Sequence, residues 1–161
     1  MDDQTFMTQI VAGLAASGKT LAVAESLTGG LLAAAVVAVP GASAVFRGGV
    51  VAYATDLKSD VLGVDHRLLA ERGPVDPEVA ASMAAGVARR LSADIGVAST
   101  GVAGPAPLGD IGPGLVFVAV SDSAAGVSSV RGLQLSGDRD EIRAETVHRA
   151  VALLAEYVLA Q

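Results

Sequence analysis

The sequence predicts an α/β fold: a three-layer domain on a mixed sheet, finished by a C-terminal hairpin and a last helix. Three observations carry this. Short apolar runs alternate with longer segments of helical periodicity. Two strand-like runs near the end are separated only by a short Ala-Gly connection, as in a hairpin. Hydrophobic residues make up 52% of the chain but aromatics only 3%, so the core is expected to use small and branched side chains, which suits helices packed closely on a buried sheet.

In chain order, Thr5 to Ser17 repeats Phe6, Met7, Ile10, Val11 and Leu14 at helical spacing, and Gly18 reads as its cap. Thr20 to Ser26 is a short apolar run expected as a buried strand. "LTGGLLAAAVVAV" is a helix ended by Pro40-Gly41. Gly48 to Ala54 is strand-like, and "TDLKSDVLGV" suits a short helix capped by Thr55. Pro77 to Leu91 is amphipathic, with Val79, Met83, Val87 and Leu91 on one face. Asp94 to Thr100 reads as another buried strand, and Gly101 to Pro113 as a loop. The hairpin strands are "GLVFVAVSD" and "VSSVRGLQL". Asp140 to Leu159 is the last helix, with Val147, Val151, Leu154 and Val158 in one stripe. No repeat or linker divides the 161 residues, so one domain over residues 1–161 is expected.

Composition narrows the function. The net charge is −6 and the pI about 4.7, which disfavours direct nucleic-acid binding. Without cysteine there are no disulfides, thiolate ligands or cysteine nucleophiles. The two histidines are isolated and no acidic set has ligand spacing, so no metal is expected. No cationic, apolar leader is read and the longest apolar run is too short to span a bilayer, so a soluble cytoplasmic protein is expected.

The stretch "GLAASGKT", Gly13 to Thr20, spells a phosphate-binding P-loop. Such a loop needs a strand before it and a helix after it, so that free N–H groups of the helix cradle phosphate. Here a helix precedes and a strand comes after, and Gly13 falls inside the helix. A nucleotide triphosphatase is therefore the remote reading, even though "LVFVAVSD" ends in Asp122, as a magnesium-binding strand would.

"AESLTGG" is better placed. It sets Ser26 between the end of a buried strand and the opening of a helix, where open α/β sheets put their sites. The first-turn N–H groups of that helix are expected to face the same crevice, with Gly29 and Gly30 admitting a substrate; helix capping is the bland alternative for Ser26. His66, in a polar turn, and His148, on the last helix, sit beside no strand end, so a Ser-His-Asp triad is poorly supported. Lys58 comes after the strand "VVAYA" in an apolar setting; a desolvated lysine serves as a base, while a solvated one does not. "STGVAGP", Ser99 to Pro105, offers backbone N–H groups to an oxyanion or phosphate, or is an ordinary Gly-rich turn.

Taken together and in order, "AESLTGG", "FRGGVVAYATDLKSDVLGV", "GPVDPEVAASMAAGVA", "STGVAGP" and "GDRDEIR" resemble the CinA C-terminal domain family, the nicotinamide-nucleotide amidases. The likeness runs from about Leu21 to the last helix. It implies a three-layer α/β/α sandwich on a mixed five-stranded sheet. It implies hydrolysis of the carboxamide of nicotinamide mononucleotide to nicotinate mononucleotide and ammonia, in pyridine nucleotide recycling, by a Ser-Lys arrangement without metal or cofactor. Carried over, Ser26 is the nucleophile and Lys58 the general base, with Tyr53 and Thr100 near the reacting centre. Glu25, Thr28, Gly29, Gly30, Thr100, Gly101, Gly104 and Arg139 are the expected substrate contacts, and Arg47 is a second candidate for the phosphate.

Two departures bear on that reading. The chain has "AGPAPLGDIGPGLV" where the family often has a Gly-rich stretch and then Lys-Pro-Val-Gly, and Asp76 stands where Ser is common. They motivate an alternative: a non-catalytic interaction module tied, as the relatives' competence and DNA-damage labels suggest, to protein partners. Ala- and Gly-rich helix faces would also permit a homo-oligomer.

Overall fold

The structure, a computed structural model, describes residues 2–160. The order of elements is α1 (Asp3–Ser17), β1 (Leu21–Glu25), α2 (Leu31–Val37), a 3₁₀ turn (Ala42–Ala44), β2 (Phe46–Val51), α3 (Thr55–Asp60), α4 (His66–Arg72), α5 (Pro77–Arg90), β3 (Ile95–Gly101), β4 (Leu115–Asp122), β5 (Val127–Gln134) and α6 (Arg139–Leu159). The five strands form one sheet in the order β2-β1-β3-β4-β5. β1 runs parallel to β2 and β3, whereas β3, β4 and β5 are antiparallel in succession. This is the mixed sheet with the closing hairpin and final helix.

Alternation along the strands divides the core by side-chain size, because successive residues point to opposite faces. On one face Leu21, Val23, Ile95, Val97, Val116, Val118 and Val120 pack with α1, α2 and α6. On the other, Ala22, Ala24, Ala98 and Ala119 meet Val79, Met83, Ala84 and Val87 of α5. The small face lets α5 lie close to the sheet. A Cβ on Gly96 would stand 1.9 Å from the Ala84 carbonyl oxygen, so no larger residue fits without moving the helix.

The topology also fixes where a site belongs. From β1 the chain crosses through α2 to β2 on one side, then returns through α3, α4 and α5 to β3 on the other. The chain leaves β1 toward β2 and leaves β3 toward β4, so the winding reverses between these two neighbouring strands, and that reversal opens a crevice at the carboxyl end of β1. Ser26 is the first residue past this end.

Several expected boundaries shift. Residues 26–30 form a turn, so α2 begins at Leu31 and not at the Leu27 of its motif. β2 starts at Phe46, two residues before the expected Gly48. Thr55 is the first residue of α3 and not its cap; Ala54 holds the cap position without a side-chain bond. His66 opens a helix where the sequence predicts a polar turn, with Asp65 accepting from the Arg67 amide as cap. Gly18 does cap α1, in the left-handed region at φ 67°. The P-loop reading is overturned in its premise: Gly13 lies within α1, and Lys19 leads into a strand.

Candidate active site

The carboxyl end of β1 brings together Ser26 and Lys58, the pair that the family resemblance implies. Lys58 Nζ donates to Ser26 Oγ at 2.9 Å and to the Ala52 carbonyl at 2.7 Å. They lie 32 residues apart in sequence, and the β1–β2 pairing closes that gap. Lys58 is 1% exposed and Ser26 8%. Among the described residues no carboxylate forms an ion pair with Lys58. Burial therefore penalises the ammonium form unopposed, and lowers the lysine from 10.5 to about 8.

A cavity of about 310 Å³ opens beside this pair. Ser26, Leu27, Thr55, Lys58, Pro74 and Val75 line it together with residues 100–108, Tyr53 and Arg139. Its size is at the lower end of the range for small-molecule sites. Tyr53 is 60% exposed at the cavity, and its hydroxyl accepts from Arg139 Nη2 at 3.0 Å. Arg139 Nη1 donates to the Gly104 carbonyl at 2.6 Å, so the guanidinium links the β2–α3 connection to the loop after β3. Thr100 lines the cavity, and its hydroxyl donates to the Pro74 carbonyl at 2.6 Å. Gly101 and Gly104 are part of the wall.

Glu25, Thr28, Gly29 and Gly30, expected at the substrate, do not line the cavity. They build the turn that presents Ser26. Glu25 is 1% exposed and gives both carboxylate oxygens to the first turn of α2, accepting from Leu32 N at 2.8 Å and Ala33 N at 3.1 Å. A carboxylate against a helix start satisfies the orphan N–H groups and the dipole together. Those amides, expected from the sequence to be open to the crevice, are thus occupied from inside the fold. The Thr28 hydroxyl bonds the Ser99 hydroxyl at 2.8 Å, tying the turn to β3. Gly29 N–H donates to the Ser26 carbonyl at 3.1 Å, and Gly29 and Gly30 have φ of 58° and 108°, which glycine adopts most readily.

Arg47 donates to the Leu91 carbonyl and is not at the cavity. Asp76 does not line the cavity: it caps α5, accepting from Glu78 N at 2.8 Å and Val79 N at 3.3 Å. His148 pairs with Asp3, and His66 opens α4; neither lines the cavity. Sequence reasoning misses Arg143, which reaches the Ser26 turn from α6 by donating to the Leu27 carbonyl at 2.9 Å and the Thr28 carbonyl at 3.3 Å. Its signal is in the spacing, since Arg143 lies four residues beyond Arg139 and shares its helix face. Among the described residues no group of three or more His, Cys, Asp or Glu side chains could hold a metal ion, and no helix is long and apolar enough to cross a membrane.

The profile of the CinA C-terminal domain matches residues 3–158. The chain belongs to the CinA C-terminal domain family. A CinA-like protein of Frankia casuarinae is 51% identical over 135 residues, covering 84% of this chain and 31% of that protein. One of Geobacter metallireducens is 43% identical over 159 residues, covering 98% and 38%. The chain thus spans about a third of the length of the curated CinA-like relatives it matches. Among solved structures, the competence/damage inducible protein CihA of Agrobacterium tumefaciens superposes with a TM-score of 0.92 at 34% identity, over 100% of this chain and 97% of that one. A CinA superfamily protein of Klebsiella pneumoniae gives 0.92 at 30% identity, over 100% of both.

Proposed function

We propose that this CinA C-terminal domain is an amidase that hydrolyses the carboxamide of nicotinamide mononucleotide to nicotinate mononucleotide and ammonia. Ser26 is the nucleophile and Lys58 the general base. The observation that carries the reading is the buried Lys58 Nζ at 2.9 Å from Ser26 Oγ, with a pKa near 8. At pH 7 roughly a tenth of such lysines are neutral, against far fewer than one in a thousand at the ordinary value. A neutral amine has two N–H bonds and one lone pair. The Ala52 carbonyl takes one N–H and fixes the amine, which leaves the lone pair for the Ser26 proton.

Lys58 takes the hydroxyl proton as Ser26 Oγ bonds the carboxamide carbon. The carbonyl π pair moves to oxygen and forms an oxyanion. Collapse of that intermediate breaks the C–N bond, and Lys58 returns the proton to the departing nitrogen as ammonia leaves. Water then attacks the acyl-enzyme with Lys58 again as base, releasing the nicotinate carboxyl group and restoring the serine. Proton transfer of this kind contributes about 10²–10⁴ in rate. Arg139 is a cation at the cavity suited to the substrate phosphate, and Asp76, engaged as the cap of α5, does not line the cavity.

The test is ammonia release from nicotinamide mononucleotide by purified protein. Wild type is expected to release it without added metal, and Ser26→Ala to lose the activity while keeping its thermal midpoint. Near-wild-type turnover in Ser26→Ala would remove the nucleophile assignment. A wild type that releases no ammonia would leave the interaction-module reading in its place.

A further inference from the structure

We infer that Arg143 is a positioning residue for the reaction at Ser26: it holds the Leu27 peptide so that the Leu27 N–H faces the oxyanion. This rests on the Ser26–Lys58 amidase reading. Leu27 directly succeeds the nucleophile and lines the cavity. Its N–H has no hydrogen-bond acceptor among the described residues. A backbone N–H at the wall of a cavity, beside a nucleophile and without an acceptor in the chain, is suited to a developing negative charge.

The conformation of Leu27 is set from both sides. The peptide before it is fixed because the Ser26 carbonyl accepts from Gly29 N–H at 3.1 Å. In a planar trans peptide the N–H points opposite to the C=O, so holding the Ser26 carbonyl toward Gly29 aims the Leu27 N–H the other way. The peptide after it is fixed by Arg143, whose Nε donates to the Leu27 carbonyl at 2.9 Å. No other donor to that carbonyl is present among the described residues. Arg143 Nη2 also reaches the Thr28 carbonyl at 3.3 Å, which accepts from Leu31 N as well. The rigid fork therefore spans two successive carbonyls, a task for which arginine is better shaped than lysine.

The surroundings are built for this contact. Gly29 lies beside the guanidinium: a Cβ there would make ordinary contact with Arg143 Nη2 at 3.5 Å, and it is the φ of 58° that calls for glycine. Asp140 Oδ1 lies 3.6 Å from Arg143 Nη1, and the Arg143 side chain is 26% exposed. Arg143 itself does not line the cavity, so it acts through the backbone and not on the substrate.

The test compares Arg143→Ala, Arg143→Lys and, as a control for charge on the same helix, Arg149→Ala, whose side chain pairs with Glu145 at the surface. Steady-state turnover of nicotinamide mononucleotide is measured beside acylation of Ser26 by p-nitrophenyl acetate, a generic acyl donor that also forms an oxyanion. Arg143→Ala is expected to lower kcat and the acylation rate by about 100-fold, the effect of one misplaced oxyanion donor, with KM within about threefold. The pH limb near 8 should stay in place, because Lys58 is untouched. Arg143→Lys should recover part of the loss through one bond to the Leu27 carbonyl, and Arg149→Ala should match wild type. The inference is overturned if Arg143→Ala keeps its kcat, if only KM rises, or if Arg143→Lys is as impaired as Arg143→Ala. A wild type that is acylated at Ser26 but releases no ammonia refutes the substrate and leaves the Arg143 comparison readable on acylation alone. A wild type inert to both donors overturns both readings.

Discussion

Lys19 and Lys58 are the only lysines in the chain, and they serve opposite ends of β1. Lys19 stands before the strand and pairs with Asp122 at 2.9 Å. Asp122 is 1% exposed and also accepts from the Tyr157 hydroxyl at 2.7 Å and Ala125 N at 3.0 Å. Burial alone would raise its pKa, but the bonds from Lys19, Tyr157 and Ala125 outweigh it and bring the carboxyl down to about 2. The bond to Asp122 in turn raises Lys19. At the other end Lys58 is buried with a hydroxyl and a carbonyl, and is lowered to about 8. A paired cation and a carboxylate hold their protonation states through the physiological range, so that end is structural. An unpaired buried cation titrates close to it, which destabilises the fold and makes the lysine usable as a base.

Replacing Lys58 by Met separates those two consequences and has the largest expected effect. Amide turnover should fall about 10³-fold or more, while Lys19→Met should leave kcat within about twofold. Stability should move the other way with pH. The folded pKa of Lys58 lies below the unfolded value, so the unfolded chain binds more protons between about pH 8 and 10.5. The penalty for the buried charge is complete below the folded pKa and disappears as pH rises through that window. From pH 7 to pH 11 wild type should therefore gain about 3 kcal/mol relative to Lys58→Met, read from denaturant midpoints at each pH. Parallel pH–stability curves for the two proteins would show that Lys58 is an ordinary solvated lysine.

The contrast between the lysines also marks where sequence reading succeeds. The five strand runs, the hairpin and the long helices are legible, because each is encoded by local periodicity. So is the placement of Ser26 at a strand end. The start of α2 is not, because the carboxylate that satisfies its first turn comes from Glu25, seven residues before Leu32 and on the strand side of the turn. α4 escapes notice because it is short and buries none of its residues, leaving little apolar pattern to read. The 2.9 Å approach of Lys58 to Ser26 depends on two strands pairing, and the loss of its water depends on the layer above them. Neither is written near position 58. "GLAASGKT" misleads for the same reason: a spelling carries no information about which element comes first.

The structural end is tested next by Asp122→Asn. The variant loses the charge that Lys19 pairs with, and should be destabilised by about 2 kcal/mol at pH 7. The folded pKa of Asp122 lies below the ordinary 3.8, so its contribution is complete above about pH 4 and is lost as pH falls toward 2. Wild type should therefore converge on Asp122→Asn in acid, and urea midpoints between about pH 2 and 7 read the convergence. Turnover at neutral pH should be unaffected wherever the variant is folded, since Asp122 lies at the opposite end of the sheet from Ser26. A tenfold loss of kcat with the fold intact would mean that the two ends are coupled.

The smallest effect belongs to the residue whose sequence motif looked strongest. Lys19→Met removes the cation but leaves Asp122 its bonds from Tyr157 and Ala125, and the Lys19 side chain is 27% exposed, so water screens what it contributes. The thermal midpoint should fall by less than in Asp122→Asn, and the difference from wild type should shrink in added salt, as it does for ion pairs near the surface. The same variant decides the fate of the P-loop spelling. In a phosphate-binding loop the lysine contacts nucleotide, and its loss would abolish any nucleotide-triphosphate binding. In this fold Lys19 comes directly after the left-handed cap of α1, at the carbonyl end of the helix, where the dipole favours a cation and repels phosphate. Wild type and Lys19→Met should therefore show the same absence of ATP binding by calorimetry; heat from wild type that vanishes in the variant would restore the nucleotide reading that the order of elements removes.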